Sequence, residues 1–168
     1  RVFSRREDNY DRSAQILGAS ISRFNRTEVI DDIEFDYANA LMAKKEPDWK
    51  KASDALAHVE SRGKFGQMAE VMAQRATCLH KIKDYGNSFN STVNSLARFA
   101  NHSLAGDMRF LKAENLYLMN RGEEAAEAYQ EFIKADKEHP NLLAAQMRLS
   151  QIHHNAKQWD KALASAVP

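Results

Sequence analysis

The sequence predicts an all-α protein built from antiparallel helix pairs, and three observations carry that prediction. Gly and Pro are scarce, at 6 and 3 residues in a chain of 168, so few positions interrupt a helix. The β-branched and aromatic residues never alternate over the length of a strand. A pattern of an aromatic residue, two further residues and a small residue recurs at a nearly constant spacing, which indicates a repeat architecture.

The small residue that ends this pattern occurs five times. The five positions, separated by 39, 36, 37 and 37 residues, are Ser13, Ala52, Ser88, Ala125 and Ala162. The residues at the start of the pattern are Tyr10, Trp49, Tyr85, Gly122 and Trp159, so glycine replaces the aromatic once. Another small residue lies twelve positions before each of the last four: Ala40, Ala76, Ala113 and Ser150. Two helices approach closely only where neither carries a bulky side chain, so each unit is predicted to hold one helix pair that crosses at these positions.

Turn residues place the boundaries of the predicted helices. Within the pairs, the breaks are predicted at Glu46-Pro47-Asp48, Lys83-Asp84, Asn120-Arg121-Gly122 and Ala156-Lys157-Gln158. Between the pairs, they are predicted at residues 63–66, 101–103 and 139–141. The helices are therefore predicted at 8–24, 28–45, 47–61, 67–83, 85–100, 104–120, 122–137, 141–156 and 158–166.

Large apolar residues at helical spacing predict the core beside the small residues, for example Leu56 with Val59 and Tyr129 with Phe132. All of this is predicted to form a single domain over 1–168. Its parts are a half repeat at 1–27, three repeats at 28–65, 66–102 and 103–139, and a partial repeat at 140–168.

Composition excludes several classes of function. Lys plus Arg number 24 against 23 for Asp plus Glu, so total charge does not attract nucleic acid or an anionic membrane. No apolar run approaches the roughly 20 residues that span a bilayer. Cys78 is the only cysteine, which rules out an internal disulfide and fits a reducing or an oxidising compartment alike.

Candidate catalytic and metal-binding residues also fail on spacing. The sequence has no Gly-rich phosphate loop, no HExxH and no nucleophile elbow. His153 and His154 are adjacent, so on a helix their rings point about 100° apart and cannot bind one metal ion. The acidic ladder of Glu123, Glu124, Glu127 and Glu131 is interpreted as a solvated helix face. We therefore expect no enzyme activity, no cofactor and no metal.

The stretch from 111 to 140, LKAENLYLMNRGEEAAEAYQEFIKADKEHP, resembles a tetratricopeptide repeat, a helix pair of about 34 residues with small residues at fixed positions. The resemblance covers nearly the whole chain. It implies a right-handed superhelical α-solenoid of about four and a half repeats. The 37-residue form ending in HPNLLAAQMRLSQIHHNAKQWDKAL is similar to repeats in bacterial cell-envelope proteins, such as the Tol-Pal coordinator and the outer-membrane assembly lipoproteins. The sequence leaves the compartment unknown, with the bacterial periplasm or cell envelope and the cytoplasm both open.

The two ends of the chain predict that it is a fragment of a longer protein. Residues 10–22 resemble a second helix without a first, and the chain stops at Ala166-Val167-Pro168 inside another second helix. Neither end shows the polar capping face that closes a complete solenoid.

The resemblance implies that the first helix of each pair lines a concave groove, where partners bind. The predicted partner-binding residues are Tyr37, Lys44, Thr77, His80, Lys81, Phe110, Glu114, Tyr117, Gln151 and His154. The fifth positions of the repeats lack the lysine with which chaperone-binding relatives clamp a peptide carboxylate, and they are Tyr37, Ala73, Phe110 and Met147. Aromatic groove residues suit a peptide with apolar anchors, although the same rings could pack into the neighbouring repeat.

The predicted function is a non-enzymatic scaffold that binds a peptide or a helix of a partner protein. Contacts with further repeats of the same chain are a second expectation, while nucleic acid and membrane insertion are not expected. Two alternatives stay open. One is an RNA-binding helical-pair solenoid, which needs a basic groove and repeated base-reading residues. The other is a regulatory repeat segment of a larger enzyme.

Overall fold

The computed structural model describes the backbone of residues 2–166 and the side chains of residues 9–165. This part of the chain contains nine α-helices and no strand, which confirms the predicted all-α architecture. The predicted domain also includes residues 1, 167 and 168, which lie outside the described residues. The helices are α1 Val2–Phe24, α2 Ile30–Ala43, α3 Trp49–Arg62, α4 Met68–Lys81, α5 Tyr85–Arg98, α6 Ala105–Leu118, α7 Gly122–Ala135, α8 Leu142–Asn155 and α9 Trp159–Ala166.

The observed bounds agree with the predicted ones to within two residues, except at the start of the chain. Helix α1 begins at Val2 and not at residue 8. Residues 2–17 contain neither Gly nor Pro, so nothing in the backbone chemistry interrupts the helix there.

The turns within three of the helix pairs share one backbone device. Lys83, Asn120 and Lys157, each 37 residues apart, have positive φ angles of 65°, 58° and 59°. Each closes the first helix with paired backbone bonds: the Asn120 N–H donates to the Tyr117 carbonyl and the Arg121 N–H to the Leu116 carbonyl, both at 3.0 Å. Such a left-handed residue satisfies carbonyls that the helix end would otherwise leave unpaired.

The turn between α2 and α3 uses side-chain capping in its place. The Asp48 carboxylate accepts a hydrogen bond from the Lys51 backbone N–H at 3.0 Å, which caps the start of α3. Pro47 just before it cannot continue a helix, so the predicted break is correct although its geometry differs from that of the other three turns.

The helices form two compact units, Arg1–Asp84 and Tyr85–Pro168. In the first unit, α1 packs on α2, α2 on α3 and α3 on α4. In the second unit, α5 packs on α6, and the same order continues through α7, α8 and α9. The division falls inside the predicted repeat 66–102, between its two helices, and the predicted repeat bounds remain predictions.

The periodic small residues lie where the helices pack. Ala52, Ala76, Ala113 and Ala125 are fully buried, and so is Ser88. Two of the three serines at these positions, Ser88 and Ser150, make a hydrogen bond through the hydroxyl. Ser88 Oγ accepts from Asn115 Nδ2 at 2.8 Å, and Ser150 Oγ donates to the Ala162 carbonyl at 2.8 Å. A small residue thus permits the close approach of two helices. A serine hydroxyl that is hydrogen-bonded at such a position leaves no unpaired polar group.

Tyr129 and Phe132 of α7 are the largest fully buried side chains of the second unit. They belong to a core cluster with members on α6, α7 and α8. Because α7 alternates these rings with Ala125 and Ala128, one face of the helix fills the core while the glutamates occupy the other.

Ion pairs join the start of the first helix of a pair to the end of the second helix. In the first unit, the buried Glu34 carboxylate of α2 accepts from the Arg62 guanidinium of α3, which also bonds Asp31. In the second unit, Arg109 of α6 makes a bidentate pair with Asp136, with Nε to Oδ2 at 2.7 Å and Nη2 to Oδ1 at 2.8 Å. No helix in the described part of the chain combines the length and apolar character needed to cross a membrane.

Candidate functional site

The ten predicted partner-binding residues divide equally between the two units. Tyr37 and Lys44 belong to α2 and its C-cap, and Thr77, His80 and Lys81 to α4. In the second unit, α6 carries Phe110, Glu114 and Tyr117, while α8 carries Gln151 and His154.

In the first unit, helix α1 contacts both predicted residues of α2. A Cβ atom added to Gly18 of α1 would lie 3.2 Å from the half-buried Tyr37 ring, so glycine permits this close approach. The Lys44 Nζ lies 3.0 Å from Asp11 Oδ1, also on α1. Helix α1, in the predicted half repeat, therefore contacts two side chains that the resemblance assigns to a groove, Tyr37 and Lys44.

The predicted residues of α4 differ in exposure. Thr77 Oγ1 donates to the Ala73 carbonyl at 3.0 Å within its own helix. His80 is half-buried, and Lys81 is exposed. A hydrogen bond at 3.0 Å from Gln74 Nε2 to Asn39 Oδ1 joins α4 to α2 beside them, and this pair was not predicted from the sequence.

Phe110 of the second unit packs into the core cluster. Its ring centroid lies 5.4 Å from that of Phe132 and 6.3 Å from that of Tyr129, in tilted and edge-on arrangements that favour aromatic pairs. The ring is only partly buried, so one side supports the core while the rest reaches the surface.

Glu114 and Tyr117 are held by Arg148 of α8, a residue that was not predicted from the sequence. Arg148 Nε donates to Glu114 Oε1 at 3.3 Å, and its guanidinium lies 4.8 Å from the Tyr117 ring centroid. The Tyr129 hydroxyl also donates to Glu114. Burial, together with the negative charge of Glu114, raises the pKa of Tyr129 well above its ordinary value, so the phenol stays a donor.

Beyond this network, α8 presents two large apolar side chains to solvent. Leu143 is 67% exposed and Met147, one turn further on, is 65% exposed. With Gln151 and His154 they line a shallow cavity of about 480 Å³. We call these four residues, Leu143, Met147, Gln151 and His154, the α8 surface.

The polar members of the α8 surface are oriented by neighbours. Gln151 Nε2 donates to Asn155 Oδ1 at 3.3 Å, and the His154 ring meets the Trp159 ring edge to face at 4.9 Å between centroids. Trp159 is itself 58% exposed and extends the apolar area onto α9. Leu143 was not predicted, although its position four residues before Met147 on one helix face is the signal that could have identified it.

Solved structures share this fold at low sequence identity. MamA superposes with a TM-score of 0.76 at 12% identity, over 96% of this chain and 87% of that chain. A putative kinesin light chain of Podospora anserina with nearly identical TPR-like repeats gives 0.71 at 16% identity, over 96% and 86%. BtubC from P. vanneervenii gives 0.74 at 10% identity, over 96% and 72%.

At such identities the similarity establishes the fold alone. The chain has the TPR-like α-solenoid fold, as the sequence resemblance predicted. No protein-family model matches the chain, and no curated protein does.

Proposed function

We propose that this chain is a protein-interaction repeat module, and that its α8 surface binds a peptide or helix of a partner protein. One observation carries the proposal: Leu143 and Met147 lie one turn apart, and each exposes about two thirds of its surface. The first part of the proposal, that the chain is a protein-interaction repeat module, is supported by the repeat proteins that share its fold.

The chemistry of the α8 surface favours a partner with an apolar anchor. Each square ångström of apolar surface removed from water contributes about 25 cal/mol, so covering two such side chains is a substantial gain. Methionine adapts its three rotatable bonds to different partner shapes. Gln151 and His154 lie on the same face and supply hydrogen bonds that would fix the orientation of a bound segment.

The paired cations of α6 and α8 favour a protein over RNA as the partner. Three cations of α6 and α8, Arg109, Lys112 and Arg148, each pair with a carboxylate of the same unit. A nucleic-acid groove needs cations free to meet phosphates, because phosphate contacts supply most of the affinity. We therefore place the RNA-binding alternative second, with salt-dependent binding of labelled RNA as its test.

The proposal is tested by selecting peptides from a displayed random library on the immobilised protein. We expect selected peptides to lose about tenfold or more in affinity for Met147→Asp, as for a side chain near the centre of an interface. The matched control is Ile16→Asp, because Ile16 of α1 is 57% exposed but lies in the other unit.

Circular dichroism should show both variants folded, since the substituted side chains face solvent. Equal affinity of the selected peptides for wild type and Met147→Asp, or an equal loss in Ile16→Asp, would contradict a site on the α8 surface.

A further inference from the structure

A second cavity of the second unit shares no residue with the α8 surface. It has a volume of about 800 Å³ and lies between α7 on one side and the end of α8 and start of α9 on the other. Its apolar part includes Leu118, Ala126 and Ile152. We call it the α7–α9 cavity.

Only two of the four glutamates of the acidic ladder, which the sequence predicts to be a solvated face, line the α7–α9 cavity. Glu124 pairs with Arg121 and Glu131 pairs with Lys112, and neither glutamate lines the cavity. Glu123 and Glu127, one turn apart, do line it. Within the described side chains, neither of these two carboxylates has an ion-pair partner, and Lys161 on the opposite wall is not within pairing distance of either.

The remaining polar lining consists of side chains that can both donate and accept. Four carboxamides line the cavity: Asn120, Gln130, Asn155 and Gln158. Asn120 and Gln130 each offer an oxygen acceptor and two N–H donors, which is the complement of a peptide backbone. The Asn155 and Gln158 oxygens already contact Gln151 and His153, so these two residues offer chiefly their N–H groups.

Buried His153 adds a second polar feature to the lining. It is 6% exposed, and its Nδ1 lies 3.0 Å from Gln158 Oε1. Its other ring nitrogen, Nε2, has no protein partner among the residues that the structure describes. This nitrogen is not sealed from solvent, so it can hydrogen-bond to a ligand that enters the cavity.

We propose that the α7–α9 cavity binds an extended peptide segment in which basic residues alternate with apolar ones. Residues one turn apart on a helix are separated by about 6 Å along its axis. Alternate residues of an extended chain lie about 7 Å apart on one side. Two basic side chains at positions i and i+2 therefore match Glu123 and Glu127, while the residue between them points toward Ile152.

Charge complementarity selects this occupant over an acidic or a uniformly apolar one. Glu123 and Glu127 are exposed, and a cation brought to hydrogen-bonding distance of an unpaired carboxylate is attracted to it. An acidic segment would meet like charges, which costs affinity. The carboxamides bind the backbone of any sequence, so the two glutamates supply the sequence preference.

The test uses three capped fluorescent hexapeptides in fluorescence anisotropy at about 0.1 M salt, where attraction between exposed charges more than about 10 Å apart is largely screened and only close pairs contribute. One alternates lysine and leucine, the second has the same composition in two blocks, and the third alternates glutamine and leucine. We expect the alternating lysine peptide to bind about tenfold more tightly than either of the others.

Two double variants locate the effect. Glu123→Gln with Glu127→Gln should lose the preference for lysine over glutamine, while Glu124→Gln with Glu131→Gln should keep it. Met147→Asp should also keep it, which separates this site from the α8 surface.

Three results would overturn the proposal. They are absence of binding by the alternating lysine peptide, equal binding of the block peptide, and an equal loss in the two double variants. Circular dichroism and thermal melting of the variants establish that each is folded before binding is compared.

Discussion

Asp136 shows at the residue scale how one side chain depends on the size of another. A Cβ atom on Gly106 of α6 would lie 3.0 Å from Asp136 Oδ1 and 3.0 Å from His139 Cδ2. Glycine at this position lets the Asp136 carboxylate approach α6 closely enough to bind the Arg109 guanidinium. Hydrogen bonding by Arg109, with a smaller contribution from the nearby His139, lowers the pKa of Asp136 below its ordinary 3.8.

This pair predicts how stability changes in acid. A carboxyl whose pKa is lowered by folding stabilises the native state above its ordinary pKa, and the contribution is lost as pH falls through the lowered value. We expect Asp136→Asn to lower stability at pH 7 by about 1–3 kcal/mol, since a charge-assisted bidentate pair is removed. The variant should also lose less stability than wild type between about pH 4 and pH 2, as measured by urea unfolding at each pH.

The control for Asp136 is Glu124→Gln in the same unit. Its pair with Arg121 also lowers the pKa of Glu124, but both side chains are exposed and the interaction is screened. Its stability curve should follow that of wild type. If Glu124→Gln changed the loss of stability in acid as much as Asp136→Asn does, the buried geometry at Asp136 would not explain the pH dependence.

The sequence could not predict which groove residues would be free. Glu114 and Tyr117 are held by Arg148, and Tyr37 is covered by α1 beside Gly18. The repeat pattern assigns each residue a position within its own pair. Whether a residue of the next helix reaches back to it depends on contacts between pairs, which the period does not encode.

At the level of the helices, large aromatic side chains differ in how much of their surface is buried. Phe132 of α7 is fully buried, Trp49 at the start of α3 is partly buried, and Trp159 at the start of α9 is 58% exposed. Trp159 therefore contributes chiefly its edge-on contact with His154.

This order predicts three different losses of stability on truncation. Phe132→Ala should cost about 3–5 kcal/mol, the usual range for a fully buried ring. Trp49→Ala should cost less, and Trp159→Ala least of all, because less apolar surface leaves water at those sites. Denaturant unfolding of the three variants compares them, and a loss for Trp159→Ala as large as that for Trp49→Ala would be inconsistent with the packing of α9.

Helices and turns were predicted well because their signals are local. The small residues mark where two helices meet, and the sites of the left-handed turn residues fall on polar positions with the same period. The α8 surface was predicted only in part. Met147 lies at a fifth position, which the resemblance assigns to the groove, whereas Leu143 has the sequence character of a core residue. The packing of neighbouring helices determines that both face solvent.

On the scale of the whole molecule, the described packing runs between helices that follow one another in the chain. Stability in such an architecture is close to a sum of local interfaces. Each of the two compact units therefore has its own set of buried side chains, including Val59 and Met72 in the first and Tyr129 and Phe132 in the second.

This division into two units predicts which helices are destabilised when one buried side chain is truncated. We expect Phe132→Ala to speed amide hydrogen exchange in α6, α7 and α8, whose side chains make up its cluster, and to leave α2–α4 close to wild type. Val59→Ala, which truncates a fully buried residue of α3, should show the opposite pattern. Mass spectrometry of exchanged peptides measures both, and a uniform acceleration along the chain in either variant would mean that the units open together.

Cys78 gives the first unit a chemical reporter that needs no engineered label. The thiol is fully buried with Sγ 3.4 Å from Met42 Sδ, and burial raises its pKa to about 12. A thiol in this state does not react, because the thiolate is the nucleophile and no reagent can reach it. Since the sequence has no other cysteine, any alkylation of the native protein counts an opening of α4. At reagent concentrations high enough to trap every opening, the alkylation rate equals the rate at which α4 opens.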